Sequence, residues 1–329
     1  MNALSSSDWP VQIFKGAPDA EVLGSVRALA AAAEEADGNP PLSEQTWVNL
    51  KAADSDQLLV LATYANEEKS DPATATALAG VAVVNFPVHG EDAGVLELVV
   101  HPEYRNQGVG TRLAAELQEH AELPALRAWS HGDHEGAAKL AGRFGFAPVR
   151  ELWRMRLTHA QQLPEARLPE GVSIRAFVPG QDEEAWLAAN AAAFAHHPEQ
   201  GGQTLADLEA RMAEPWFDPE GFLLAVDNND GALLGFHWTK IHPRTGSHPS
   251  IGEVYVVGVT PRAQGTGLGK ALTVAGIKHL HAKGQPAIML YVDGDNAPAV
   301  ALYRKLGFTR WDTDVMYAPA AASAGRNEG

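Results

Sequence analysis

The chain has no cysteine. Disulfides, thiolate metal sites and a cysteine nucleophile are thereby excluded, which fits a reducing compartment. Cations are scarce as well: 25 Lys and Arg stand against 41 Asp and Glu, for a formal charge of −16 over 329 residues. Nucleic acid and anionic membranes both demand clustered Lys and Arg. Neither is an expected partner, and any polyanionic ligand must be held by local geometry. No window approaches the roughly 18 apolar residues of a membrane span. The opening Met1-Asn2-Ala3-Leu4-Ser5 has no basic region leading into an apolar core. The expectation is a cytoplasmic protein of about two domains.

What the chain does have is a repeat. Val95-Leu96-Glu97-Leu98-Val99-Val100-His101-Pro102, followed by Arg105-Asn106-Gln107-Gly108-Val109-Gly110, returns as Val254-Tyr255-Val256-Val257-Gly258-Val259-Thr260-Pro261, followed by Gln264-Gly265-Thr266-Gly267-Leu268-Gly269. The distance between the copies rules out a short-period solenoid and fits a duplicated domain. In the first half, helical spacing of Val22, Val26, Leu29 and Ala33 predicts a helix over Ala20–Glu35. Strands are expected at Gln57–Thr63, Ala77–Phe86, Gly94–Val100, Leu126–Ser130 and Val149–Leu157, with helices from Gly108 and over Gly136–Arg143. In the second half, strands at Val172–Phe177, Phe222–Val226, Leu233–His242, Glu253–Val259, Ala287–Val292 and Trp311–Tyr317 alternate with helices over Asp182–Ala195, from Gly267, and over Ala297–Leu306. Two segments, His196–Gly202 and the helix-like Thr204–Ala213, have no evident counterpart in the first copy. The expected class is α/β with a mixed sheet, in two tandem domains: 1–157, a proline-bearing linker 158–171, 172–318, and a disordered tail 319–329.

Both copies place Arg or Gln, two residues and Gly-x-Gly at a strand-to-helix junction, where free N–H groups of the first helical turn can point at an anion. A single Gly-x-Gly is often only a tight turn; its repetition after a Val-rich strand and a proline favours a phosphate cradle. The spacing is not the Gly-x-Gly-x-x-Gly of dinucleotide folds, and no Gly-Lys-Ser/Thr follows.

These strings, together with Tyr303-Arg304-Lys305-Leu306-Gly307-Phe308 and Arg143-Phe144-Gly145-Phe146, resemble the GNAT superfamily of N-acetyltransferases. The resemblance spans nearly the whole chain as two tandem GNAT units. It implies acetyl-CoA as co-substrate, its pyrophosphate on Asn106-Gln107-Gly108-Val109-Gly110-Thr111 and on Gln264-Gly265-Thr266-Gly267-Leu268-Gly269-Lys270. Its acetyl-pantetheine arm would lie along Leu98-Val99-Val100 and Val257-Gly258-Val259, with Asn296-Ala297-Pro298-Ala299-Val300-Ala301 touching the arm.

Acetyl transfer from a thioester to an amine needs a neutral amine, a polarised carbonyl and a proton for the leaving thiolate. Glu253, at the start of the second central strand, is placed to take the ammonium proton, and Tyr303 to protonate the sulfur. Taken singly, such residues are more often a solvated strand-edge carboxylate and a core tyrosine. Yet the same positions of the first copy hold Gly94 and Ala141. The expectation is therefore two cofactor cradles and one reaction centre, in the C-terminal domain.

Within GNAT, the second half resembles the mycothiol synthases, which acetylate the cysteinyl amine of a cysteine–glucosamine–inositol conjugate. The strings are Ala193–Gly202, Trp216-Phe217-Asp218-Pro219, Gly235-Phe236-His237-Trp238-Thr239-Lys240 and Gly252–Val259. That resemblance implies an acceptor pocket of Glu199, Lys240, Glu253 and Tyr291, with Glu44 of the first domain reaching toward it. The rivals are a GNAT enzyme for another amine, such as an aminoglycoside, a polyamine or a peptide N-terminus, and a CoA-binding sensor without turnover. His196, His197, His237, His242 and His248 lack an established ligand spacing, so no metal is expected. Two domains in one chain can imitate a dimer of single units, which favours a monomer.

Overall fold

The computed structural model describes residues 9–52, 54, 56–65, 78–87, 93–121, 126–158, 163–195, 198–244 and 249–320. The chain divides into two compact units, each discontinuous or bounded within a strand: Met1–Leu152 with Asp312–Gly329, and Trp153–Trp311.

In the first unit, strands β1 (Val11–Lys15), β2 (Leu58–Tyr64), β3 (Leu78–Asn85), β4 (Gly94–Val100) and β5 (Leu126–Ser130) lie side by side in chain order. Only β4 and β5 run parallel. Helix α1 (Ala20–Asp37) begins where Asp19 accepts the N–H groups of Glu21 and Val22 and ends on the left-handed Gly38, the expected chemistry of both caps. It packs Val22, Val26, Leu29 and Ala33, with Leu50 of α2 (Glu44–Ala52), on one sheet face. The other face carries Val109, Leu113 and Leu117 of α3 (Val109–His120). Because both faces are covered, β2 and β3 are buried almost throughout and read as unbroken apolar runs. Helix α4 (Glu135–Arg143) leads into β6 (Phe146–Thr158), whose last residues belong to the second unit.

The second unit repeats the plan. Its strands stand in the order β6, β11 (Ala287–Asp293), β10 (Ile251–Val259), β9 (Leu233–His242), β8 (Phe222–Asp227), β7 (Val172–Ala176), with β10 and β11 parallel. Helices α5 (Glu183–Ala193), α6 (Pro198–Gly201) and α7 (Leu205–Met212) lie between β7 and β8 in sequence, and α8 (Leu268–Ala282) and α9 (Ala297–Lys305) flank β11. Under α5 the core is aromatic: the Trp186 ring meets Phe222, Phe236 and Trp238 edge-on at centroid distances of 5.5 to 5.7 Å. Such edge-to-face contacts add stability beyond the area they bury.

Three expectations change. The first copy does have a helix, α2, between its first helix and its second strand, where α6 and α7 stand in the other copy. The last strand, β12, covers Thr309–Pro319, so it takes in Pro319, expected as tail; Ala320 N–H then donates to Gly145 O. Residues 321–329 of that tail, and 159–162 of the expected linker, lie outside the described residues. Compactness also divides the chain elsewhere than the repeat does. Val315, Met316 and Tyr317 of β12 pair with Ser130, Trp129 and Ala128 of β5, so the chain's last strand completes the first unit.

Candidate active site

The two glycine turns have one geometry. Gly108 and Gly267 precede α3 and α8 with φ of +90° and +86°, and neither helix has a side-chain cap. The first-turn N–H groups are therefore left for a ligand. The region that a Cβ on Gly267 would enter holds no atom within 4 Å, which leaves room for a phosphate against the backbone. The first residue of each motif serves the turn itself: Arg105 Nε donates to Val100 O at 3.2 Å, and Gln264 Nε2 donates to Val259 O at 3.2 Å. Each locks the turn to the end of its strand. Asn106 (φ +60°) takes the left-handed position that Gly265 (φ +76°) fills in the second copy. Lys270 Nζ donates to Glu165 O at 3.0 Å, and Asn296 caps α9 by accepting from Ala299 N–H.

In the first unit Leu98, Val99, Val100, Asn106, Gly108, Val109, Gly110 and Thr111 line one cavity of about 580 Å³, together with Trp129, His131, Leu140, Ala141 and Tyr317. Gln107 is not among them; its amide donates to Glu103 O. Beside the cavity lies a cluster that counting between glycines does not reveal. Glu97 is fully buried, accepts from Ser43 N–H at 3.1 Å, and meets His131 Nε2 at 2.6 Å; His131 Nδ1 in turn meets Asp314 at 3.1 Å. Burial pushes the imidazole down, but its hydrogen bonds to Asp314 and Glu97 outweigh that and raise it to about 9. His131 is therefore an imidazolium at neutral pH, with both nitrogens occupied and no free nitrogen with which to accept a proton.

The second unit differs where its central strands part. The parallel register of β10 on β11 runs from Gly252 opposite Ile288 to Val254 opposite Leu290. At that point β10 bulges: Val254 pairs with Thr239 and Val256 with Trp238, leaving Tyr255 as the extra residue. A bulge re-aims the side chains beside it. In the first unit, β4 pairs with β3 without interruption from Gly80–Val100 to Asn85–Val95. By pairing rather than by counting, the residue matching Glu253 is Val95, opposite Asn85, as Glu253 stands opposite Lys240. Whether Gly94 or Val95 is taken, that position holds no carboxylate.

Glu253 and Lys240, facing each other across β9 and β10, are 5 % and 6 % exposed. The ammonium of Lys240 lies over the rings of Trp216 and Tyr255, 4.5 and 5.3 Å from their centroids, and Arg211 Nε of α7 donates to Tyr255 Oη at 3.2 Å. Burial lowers the Lys240 ammonium. Glu253 Oε2 accepts from His242 Nε2 at 2.6 Å. Burial pushes the Glu253 carboxyl up, yet the His242 hydrogen bond and the charges of His242, Lys240 and Arg154 outweigh it and hold the group below the usual range. The Arg154 guanidinium also lies 5.7 Å from the Tyr291 ring centre. Tyr303, on α9, packs with Phe308 on the sheet face that Val254 enters, the face opposite Glu253. Burial pushes its phenol up to about 12, so it keeps its proton.

Of the remaining expected residues, Glu44 opens α2 in the first unit. Glu199 falls in α6, its side chain outside the described residues, as are His196, His197 and His248 entirely. His237 is fully buried with Nδ1 2.8 Å from Leu272 O, and burial lowers it to about 4. It is a neutral core histidine. His242, Arg154 and the Glu97–His131–Asp314 cluster are the groups that sequence reasoning missed. Only His242 left a signal, two residues beyond Lys240 on one strand and so on the same face.

A model of the acetyltransferase (GNAT) family matches residues 26–146 and 186–308. The mycothiol acetyltransferase of Paenarthrobacter aurescens is 66 % identical over 97 % of this chain and 99 % of its own length. That of Thermobispora bispora is 51 % identical over 89 % and 94 %. Among solved structures, a tandem GNAT protein from the clavulanic acid biosynthesis pathway superposes with a TM-score of 0.68 at 20 % identity, covering 94 % of this chain and 98 % of that one, a likeness of fold. The duplicated strand–turn–helix, the two glycine cradles and these identities together make the chain a member of the GNAT acetyltransferases and, within them, of the mycothiol acetyltransferase family.

Proposed function

We propose that this chain uses acetyl-CoA to acetylate the cysteinyl amine of the cysteine–glucosamine–inositol conjugate, the last step of mycothiol biosynthesis. The repeat 172–318 carries the reaction, and the repeat 1–157 is a non-catalytic partner that retains a CoA cradle. The observation carrying this reading is the buried, ionised Glu253 on the bulged strand beside the second glycine turn, set against its absence beside the first.

Acetyl-CoA supplies the acetyl group as a thioester, its pyrophosphate on the first-turn N–H groups of α8 and its arm along Val257–Val259. A carboxylate held below its usual range is ionised at neutral pH and can take the proton of the substrate ammonium. The amine lone pair then forms the new N–C bond as the C–S bond breaks. Tyr303 gives its phenolic proton to the departing sulfur. Glu199, Lys240 and Tyr291 hold the acceptor, since a polyhydroxylated, cationic ligand suits carboxylates and charged donors. The working unit is a monomer in the cytoplasm.

The test is to mix protein, acetyl-CoA and the conjugate and to follow free thiol and acetylated product. Release no faster than without acceptor overturns the reading. A panel containing an aminoglycoside, a polyamine and a peptide amine separates this acceptor from the other amines that a GNAT site can serve: preference for any of those over the conjugate sinks the assignment.

A further inference from the structure

We infer that His242 is a positioning residue for acetyl transfer, whose imidazole holds the Glu253 carboxylate in one orientation and connects it to water. The inference rests on the reading of Glu253 as the base.

A glutamate has three side-chain torsions, and a base on such a stem is useful only if its reacting oxygen is held in place. Among the described residues, His242 makes the hydrogen bond that does this: its Nε2 lies 2.6 Å from Oε2, a short, charge-assisted distance. No hydrogen bond among the described residues goes to Oε1, so that oxygen is the one presented to substrate. The strand register explains how the contact arises. His242 pairs with Ile251 and Lys240 with Glu253, so His242 and Glu253 are diagonal neighbours on one face, within reach of long side chains.

The exposure of the two partners adds the second role. The Glu253 side chain is 6 % exposed and that of His242 33 %. The carboxylate alone has little access to water, while the imidazole bonded to it reaches solvent. The other charged and titratable groups around Glu253 are differently occupied. Lys240, on β9, sits over Trp216 and Tyr255. Arg154, on β6, lies against Tyr291 of β11 and, at 4.5 Å, the ring of Trp311. Tyr255, on the same strand, is bonded to Arg211 of α7. These groups supply field; His242 supplies a direction.

The test compares His242→Ala, His242→Gln and Glu253→Gln in the full chain, measuring kcat, the KM of each substrate and the pH profile of kcat/KM. Removing the imidazole leaves the burial of Glu253 less opposed, so its pKa rises. The acidic limb of the profile therefore moves to higher pH in His242→Ala. kcat falls by up to about 100-fold, the loss that misplacing a reacting group by about 1 Å can cost, with the KM for acetyl-CoA unchanged. The amide nitrogen of Gln reaches where Nε2 stood, so His242→Gln recovers most of the kcat lost in His242→Ala. An unmoved acidic limb with unchanged kcat in His242→Ala overturns the inference. So does a loss that Gln leaves unrepaired in a protein with unchanged acetyl-CoA KM. If Glu253→Gln itself turns over at the parental rate, the reading of Glu253 as base has failed; if it is inactive while His242→Ala is normal, only the role of His242 has.

Discussion

Glu97 and His131 of the first unit meet at 2.6 Å, the same distance that separates Glu253 from His242 in the second. The pairs differ at the far side of the ring. His131 has Asp314 on its other nitrogen, and its side chain is 16 % exposed; His242 opens toward solvent. One arrangement is closed and holds structure together, fastening the N-terminal end of α2 through Ser43 and the chain's last strand through Asp314 to the same ring. The other leaves a carboxylate oxygen available.

The closed cluster predicts a stability that depends on pH. His131 rises from an ordinary 6.5 to about 9 on folding. A raised folded-state value contributes fully below the unfolded value and is lost as pH climbs through the folded one. Stabilisation is therefore complete below about pH 6.5 and fades up to about pH 9, with an upper bound of a few kcal/mol. Urea midpoints at pH 6, 7.5 and 9 will fall in the parent and flatten in His131→Gln. An equal fall in both proteins shows that the ring is not the cause.

Tyr303→Phe removes one hydroxyl from a ring already packed against Phe308, so the fold is kept. Since burial keeps the phenol protonated far above neutral pH, what is lost is a proton donor. kcat falls about 100-fold or more, in the range of a general acid, while the acetyl-CoA KM stays within about twofold. Steady-state rates with both substrates varied check this, and a normal kcat removes Tyr303 from the mechanism.

His237 and Gly276 give a prediction of stability alone. A Cβ added at Gly276 would run into the His237 ring, and that ring is fixed from behind by Leu272 O. Overpacking a rigid core position costs about 1–3 kcal/mol. Gly276→Ala will thus melt lower than the parent, and the double variant Gly276→Ala with His237→Ala will recover part of the loss. No recovery places the strain elsewhere.

What could be read from the chain was whatever is local. A valine-rich strand, a left-handed glycine and a helix start are each specified within a few residues, so both glycine turns were legible, as was the presence of Glu253 and Tyr303 in the second copy alone. The bulge at Tyr255 was not, because it is a property of two strands and exists only in the pairing of β10 with β9. Counting back from the glycines therefore reached Gly94, where pairing reaches Val95. The short edge strand Val11–Lys15 went unseen because its apolar residues do not alternate cleanly. His131 and Asp314 stand 183 residues apart, and nothing in either neighbourhood says that the last strand returns to the first unit.

The two glycine turns offer the sharpest comparison, since their geometry is nearly the same and their proposed roles are not. Gly267 and Gly108 both sit at positive φ, where a β-branched side chain is strained by about 1–3 kcal/mol. The strain falls on the turn whose N–H groups are proposed to hold the pyrophosphate. In Gly267→Val it lands on the proposed cradle of the unit assigned the reaction: the acetyl-CoA KM rises about tenfold or more, as about 1.4 kcal/mol requires, with a smaller change in kcat. Gly108→Val imposes the same strain on the cavity of the first unit, so CoA capture there weakens while turnover stays within about twofold. Steady-state kinetics and calorimetric titration with CoA on both variants separate the cases. Full activity in Gly267→Val, or its loss in Gly108→Val with the fold intact by circular dichroism, exchanges the roles assigned to the two units.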